Sequence, residues 1–249
     1  MMTELGKPEQ TMKLTVLYDN TSLQPELQAD WGFACAIELA ESKVLFDTGT
    51  DPQILLDNME KLGFTPRDFA IVVISHDHYD HTGGLAEVLA ANPQVTVVIP
   101  SRFSPDFKAR VVGSGAKLIE IDGAEEIATG LYSSGQLGDG IFEQGVAMET
   151  ADGLVVITGC AHPGVVEIVK QVKAALGQDI ALVMGGFHLT ATPLAGVDGI
   201  IRELKSLGAQ RAAPCHCTGD AAIARFAQRY GNDFIRIGAG WEREFTARL

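Results

Sequence analysis

The stretch FAIVVISHDHYDHTGG, residues 69–84, decides the fold of this chain. Its apolar, β-branched first half, residues 69–75, predicts a buried strand that runs directly into the motif HDHYDH at residues 76–81. The chain has only six histidines, and the pattern H-x-H-x-D-H would arise in it by chance roughly 2 times in 10,000. The motif therefore indicates a functional site directly after a strand.

The spacing of the motif suits metal binding. Two imidazoles at i and i+2, His76 and His78, can bind one ion from the same side of an extended turn, while Asp80 and His81 face a second ion. Neutral imidazoles and a carboxylate suit Zn²⁺, which is our leading choice, and also Fe²⁺ or Mn²⁺. We therefore predict one or two bound ions, with Gly83 and the glycine after it letting the backbone pass close to them.

The same unit of apolar strand, histidine-bearing loop and amphipathic helix occurs four times. Each loop lies where a strand ends and a helix begins, the position at which open α/β sheets bind their ligands. The later loops contain His162, His188 and His216. The helices predicted after them cover residues 165–176, 197–207 and 220–230.

The first part of the chain predicts a different arrangement. Residues 12–19 predict a strand, and residues 32–40 and 43–49 predict an antiparallel hairpin. Residues 51–63 predict a helix with Asp51 as its N-cap. The last strand is expected around residues 234–237.

Composition limits the classes of function. A chain of 249 residues with 46% apolar content can bury a full core, and no linker composition divides it, so we predict a single domain over residues 1–249. The net charge of −13 disfavours nucleic acid as a partner. No apolar run reaches membrane-spanning length and the N-terminus has no signal-peptide pattern, which predicts a cytoplasmic protein without a membrane partner. Oligomeric state is left open.

The H-x-H-x-D-H motif, together with the turn Asp47-Thr48-Gly49, resembles the metallo-β-lactamase-fold superfamily over nearly the whole chain. The resemblance implies an α/β fold, an αββα sandwich of two mixed sheets flanked by helices. It implies that Asp80 acts in catalysis by orienting a water and that Asp47 supports a ligand from behind. The metal ligands that it implies are His76, His78 and His162 for one ion, and Asp80, His81 and His216 for the other.

The chain departs from the family at the bridging aspartate, which usually follows a later strand as Gly-Asp. The candidate strand ends here contain Cys160 and His188 instead, and either residue can take the place of the carboxylate. We count His188 with the metal ligands and Cys160 with the groups that support them. Alternation in an extended segment predicts that Cys215 and Cys217 point together, away from the direction of the histidine between them.

The phrases TGCAHPG, GGFHL and PCHCTG resemble a subgroup associated with dihydropterins. The resemblance implies a metal-dependent hydrolase whose metal-bound hydroxide attacks a small metabolite, a reduced pterin or a phosphorylated heterocycle. A ligand-binding or sensing module without turnover is the alternative, and a nuclease is disfavoured. Four basic residues between the first two histidine loops could receive a phosphate, although a solvated loop is the favoured interpretation: Arg102, Lys108, Arg110 and Lys117.

Overall fold

Two mixed sheets form the centre of the molecule in the computed structural model, which describes residues 10–248. Within that range the strands are β1 (Thr11–Tyr18), β2 (Ala34–Glu38), β3 (Lys43–Phe46), β4 (Ile71–Val73), β5 (Thr96–Pro100), β6 (Lys117–Ile121), β7 (Glu125–Ala128), β8 (Leu131–Ser133), β9 (Val146–Thr150), β10 (Gly153–Thr158), β11 (Ile180–Gly186), β12 (Arg211–Cys215) and β13 (Glu242–Thr246).

The α-helices are α1 (Pro52–Lys61), α2 (Tyr79–Thr82), α3 (Leu85–Ala91), α4 (Pro105–Gly113), α5 (Val165–Leu176), α6 (Leu194–Ser206) and α7 (Asp220–Tyr230). Short 3₁₀ turns cover Pro66–Asp68, His216–Thr218 and Gly231–Asp233. In the described part of the chain, none of these helices is long and apolar enough to cross a membrane.

Each sheet combines an antiparallel half with a parallel half. The first sheet has the order β13-β1-β2-β3-β4-β5-β6, and its pairs are parallel from β3 to β6. The second has the order β12-β11-β10-β9-β8-β7, and its pairs are parallel from β10 to β12. The parallel halves contain the strands that are followed by histidine loops, which brings those loops to the carboxyl ends of neighbouring strands.

Alternating side chains create three apolar layers. In β10, Val155 and Ile157 lie in the core between the sheets, whereas Leu154 and Val156 pack on the outer face against α5, α6 and α7. The outer face of the first sheet is covered in the same way by α1, α3 and α4. Because strand side chains alternate with a period of two, each strand supplies both of its neighbouring layers. The predicted αββα sandwich is confirmed.

Several local predictions are confirmed. The hairpin forms as β2 and β3, and α1 begins after Asp51, whose carboxylate accepts from two backbone amides of the first turn. The helices predicted after the later histidine loops form as α5, α6 and α7.

Two other predictions are wrong. Residues 234–237 make only an isolated bridge through Phe234, and the last strand is β13. The charged, alternating sequence of β13 pairs with β1 at the edge of a sheet, so it needs little apolar content. The segment predicted as a solvated loop contains α4, which Ser104 caps by accepting from the backbone amide of Phe107.

Candidate metal centre

The ends of β4 and β10 meet at one edge of the sandwich and bring the histidine loops together. A side chain at Gly159 would overlap Ser75 Oγ, so the two strand ends can approach this closely only because residue 159 is glycine. Gly83 has a packing role at this edge. A Cβ there would collide with the carbonyl of Thr50, so the glycine lets the motif pack on the preceding turn.

Backbone strain is concentrated at this edge. Within residues 10–248, positive φ values at non-glycine positions occur at Asp47 (58°), Ala161 (58°), His188 (52°) and His216 (48°). All four lie in the loops that face one another. Such conformations are unfavourable for side-chain-bearing residues and persist where the surrounding structure holds them for a functional reason.

The Nε2 atoms of the His81 and His216 rings face each other. His81 Nδ1 donates to Asp47 Oδ2 (2.7 Å), and His216 Nδ1 donates to Asn20 Oδ1 (3.0 Å). When both rings are neutral, each therefore presents an unprotonated Nε2, and the two Nε2 atoms lie 3.2 Å apart. Two lone pairs at this separation repel unless a cation lies between them, and tetrahedral zinc places two nitrogen ligands about 3.3 Å apart.

A second set contains His76, His78 and His162, of which His76 and His162 share a group of possible metal ligands with Cys160. Ser75 Oγ donates to Asp47 Oδ2, so it accepts from His76 Nδ1 (2.8 Å). This leaves His76 Nε2 unprotonated at 3.1 Å from His78 Nδ1. The ring centroids of His76 and His162 are 4.6 Å apart. Both sets therefore contain imidazoles whose Nε2 atoms can bind a divalent ion.

Glu143, which the sequence did not predict, forms hydrogen bonds with the third histidine of this second set. Its buried carboxylate accepts from the backbone amides of Cys160 (2.9 Å), Ala161 (2.7 Å) and His162 (2.8 Å). It also accepts from His162 Nδ1 (2.9 Å), which leaves Nε2 of that ring free for a metal. Burial by itself raises the pKa of Glu143, but the hydrogen bonds from His162 and nearby histidine charges outweigh it and lower the pKa to about 2.

Burial controls the ionisation of the groups deepest in the site. It lowers the pKa of His76 and of His81 to about 3, so both rings are neutral at pH 7, the state that binds metals. It raises the pKa of Asp47 to about 7. The protein thus keeps these imidazoles ready for a cation without a proton competing for them.

Asp80 lies at the mouth of the His81 and His216 set. Its Oδ2 is 3.2 Å from His216 Nε2 and 3.7 Å from His81 Nε2, and the exposed Trp31 donates to the same oxygen from Nε1 (2.9 Å). Burial raises the pKa of Asp80, yet the adjacent His216 and the charges of the neighbouring histidines outweigh it and bring the pKa below its usual range. The residue is an anionic side chain with one side open to solvent.

The thiol of Cys160 lies among the possible metal-ligand atoms. Its Sγ is 3.3 Å from His81 Nε2, and the adjacent Cys217 thiol and burial raise its pKa. The predicted common direction of Cys215 and Cys217 is wrong because the extended backbone ends at the positive φ of His216. Cys215 belongs to the core between the sheets, whereas Cys217 lies beside Cys160.

His188 lies at the margin of the site. Its side chain is exposed, and its ring centroid is 4.4 Å from that of His162. Partial burial and the neighbouring His162 lower its pKa.

A cavity of about 350 Å³ begins beside the motif, where it is lined by Asp77, His78 and Arg102. The lining also contains Phe142, whose ring lies 5.6 Å from the Arg102 guanidinium. The other members of the predicted basic group are not among the lining residues of this cavity. Lys108 pairs with Glu120.

The structure brings all the predicted site residues to this edge of the sandwich. The supporting residues Ser75, Asn20, Trp31 and Glu143 were not predicted. A hydroxyl, an amide and an indole carry no spacing pattern that indicates metal support. Glu143 is a single acidic residue before an apolar run, and nothing in the sequence links it to residues 160–162.

Comparisons with known proteins agree with this geometry. A sequence model of the metallo-beta-lactamase superfamily matches residues 32–206. The enzyme 7,8-dihydropterin-6-methyl-4-(beta-D-ribofuranosyl)-aminobenzene-5'-phosphate synthase of Methanocaldococcus jannaschii is 25% identical, with 96% of this chain and 98% of that protein covered.

Solved structures extend the comparison. Tm1679, a metal-dependent hydrolase of the beta-lactamase superfamily, matches with a TM-score of 0.78 at 28% identity, covering 94% of this chain and 99% of that chain. A diphosphatase from the PhnP family matches with a TM-score of 0.63 at 14% identity, covering 96% and 99%. The second likeness concerns the fold alone.

Proposed function

Because this chain belongs to the metallo-beta-lactamase superfamily, we propose that it is a metal-dependent hydrolase acting on a small metabolite. The observation that carries the proposal is the pair of Nε2 atoms of His81 and His216 that face each other at 3.2 Å, beside His76 Nε2, which lies 3.1 Å from His78 Nδ1. Hydrogen-bond partners already occupy the other nitrogen of those rings, apart from His78. This is the arrangement of a preformed metal site supported from behind.

The proposed ligands are His76, His78 and His162 for one ion, and Asp80, His81 and His216 for the other. Zinc is the proposed metal, with iron(II) or manganese(II) as alternatives, because imidazoles with a carboxylate suit all three. When bound, such an ion lowers the pKa of a water molecule toward neutrality and polarises a carbonyl or phosphoryl oxygen.

Residues of this chain supply the remaining chemistry. Asp80 is the proposed catalytic residue, since its carboxylate faces both the ligand cluster and solvent and can orient a water there. Trp31 fixes that carboxylate through its indole N–H. Asp47 and Glu143 are positioning residues that hold His81 and His162 in the required tautomers.

The cavity beside His78 supports a substrate that is flat and anionic. Arg102 offers a guanidinium, which binds phosphate with fixed geometry, and Phe142 offers an aromatic face. A relative is named for a dihydropterin-linked phosphate product, which agrees with those two features. We therefore propose a reduced pterin or a phosphorylated heterocycle as the substrate class. A small molecule is preferred to a nucleic acid because the net charge is −13.

Elemental analysis of protein purified without added metal tests the metal site. We expect one or two equivalents of a divalent transition metal, reduced in Asp80→Asn and unchanged in Asp77→Asn. Asp77 is the matched control, because it is an aspartate of the same motif that is not among the proposed ligands. Metal-free parent protein that also fails to take up zinc would contradict the proposal.

Turnover is tested separately with an activated ester, a phosphomonoester and a phosphodiester. A rate that a chelator abolishes and added metal restores supports a hydrolase. The alternative is a metal-organised binding module, which is favoured by the lack of an aspartate at the usual bridging position. Saturable binding of 7,8-dihydropterin with no turnover of any substrate would select that alternative.

A further inference from the structure

Cys160 belongs to every group of possible metal ligands in the described chain. Three groups have ligand atoms within 4.8 Å of one another, and Cys160 is the residue that all of them share. The groups are Asp80, His81, Cys160 and His216; His76, Cys160 and His162; and Cys160, His188 and Cys217. Its sulfur therefore lies between the two proposed metal positions.

The distances suit direct binding by sulfur. Zinc binds sulfur at about 2.3 Å and imidazole nitrogen at about 2.0–2.1 Å, so a tetrahedral ion separates the two donors by about 3.6 Å. Cys160 Sγ lies 3.3 Å from His81 Nε2. The backbone that carries the thiol is fixed, because Glu143 binds the amides of Cys160 and of the residue that follows it.

The other candidates for a bridge are less well placed. His188 is exposed, and it shares a ligand group only with the two thiols. Asp80 is the one carboxylate in these groups within residues 10–248, and its group contains none of the imidazoles of the other ion. A sulfur atom can bind two ions at once, whereas one imidazole nitrogen has a single lone pair.

We infer that the Cys160 sulfur is a bridging ligand, in the place of the carboxylate that such sites usually contain. The inference depends on the proposed function, since it needs both ions of the proposed centre. Binding converts the thiol to a thiolate, so one sulfur forms two metal–sulfur bonds and its proton leaves to solvent.

Titration of the metal-free full chain with Cd²⁺ or Co²⁺ tests this inference. A thiolate ligand gives a sulfur-to-metal charge-transfer band that imidazole and carboxylate ligands do not give. We expect the band to grow until two equivalents are bound, with release of one thiol proton in weakly buffered solution. In cadmium NMR, a bridging sulfur couples the two metal signals.

Three variants assign the sulfur. Cys160→Ser should lose the band completely and weaken binding of the second ion about 100-fold or more. Loss of a supporting group costs only about 10- to 100-fold. Cys160→Asp should also lose the band yet still bind two equivalents. Cys217→Ser, a neighbouring buried thiol, should keep the band, and circular dichroism of the metal-free proteins checks that each variant folds.

The outcomes separate the inference from the proposed function. A band that survives Cys160→Ser, or that disappears with Cys217→Ser, would overturn the bridging assignment. Two bound ions without any band in the parent would also overturn it while leaving the proposed function standing. No metal binding in the parent would contradict the proposed function itself.

Discussion

Replacing Glu143 by glutamine tests the role of its buried carboxylate in holding the turn at residues 160–162. The carboxylate accepts four hydrogen bonds, two at each oxygen. Glutamine keeps an oxygen for the amides of Cys160 and Ala161, but it turns an NH₂ group toward the backbone N–H and Nδ1–H of His162. One buried backbone amide then has no acceptor, and the remaining bonds lose their charge.

The expected cost follows from these bonds. A hydrogen bond to a charged group contributes about 1.5–3 kcal/mol, and a buried donor without a partner costs about 1–3 kcal/mol. We expect the metal-free Glu143→Gln protein to lose about 2–4 kcal/mol of unfolding free energy, a large part of a typical total of about 5–15 kcal/mol. The ring of His162 can recover one bond only by moving its proton to Nε2, which blocks the metal. Metal affinity should therefore fall about 10- to 100-fold.

Two assays measure these effects. Urea unfolding in the presence of a chelator gives the stability change, and competition with a chromophoric chelator gives the affinity change. The matched control is Glu87→Gln on the exposed face of α3, which should shift stability by less than about 0.5 kcal/mol. If Glu143→Gln matches that control in both assays, the reasoning about His162 is wrong.

Three further predictions concern pH, substrate and the open side of the site. In the metal-free protein, His76 and His81 have pKa values of about 3, so near pH 6.5 they take up two protons only when the chain is unfolded. Asp47, with a pKa of about 7, takes up one proton in the folded state and cancels one of these two. Unfolding free energy should thus fall by about 1.4 kcal/mol per pH unit as the pH drops from 6.5 to 4.5, and urea titrations showing constant or rising stability would disprove this. Arg102→Gln should raise KM or Kd for a phosphorylated ligand about tenfold or more and should change the same constant for an uncharged analogue little. The exposed Lys117→Gln variant is the control. Equal effects on both ligands would exclude an anion-binding role. Trp31→Phe removes the donor to the Asp80 carboxylate and should weaken metal binding about tenfold. Trp241→Phe is the control and should match the parent in chelator competition.

The sequence predicted those parts of the fold that depend on local patterns. The apolar run before the motif at residues 76–81 forms β4, and Asp51 followed by proline starts α1 as expected. The repeated order of strand, histidine loop and helix also predicted that these loops meet, because parallel strands place their carboxyl ends at one sheet edge.

Other parts depend on contacts between distant segments. Glu143 supports a turn whose nearest residue, Cys160, is 17 positions away, and no local pattern connects the two. The place of Cys160 between the ligand sets depends on the close approach of Gly159 to Ser75, so the sequence left the bridging position open. β13 was missed because an edge strand needs few apolar residues. Ser104 followed by proline is typical of a helix start, but the surrounding glycines and serines favoured the prediction of a loop.

The central claim is that the facing histidines hold divalent metal ions, and anomalous X-ray diffraction from crystals of the purified protein tests it most directly. We predict two anomalous peaks in zinc-soaked crystals, with ligand distances of about 2.0–2.3 Å. One peak should lie among His76, His78 and His162, the other among Asp80, His81 and His216. If zinc-soaked crystals show ordered water but no anomalous peak at these residues, the claim that they bind divalent metal ions is wrong.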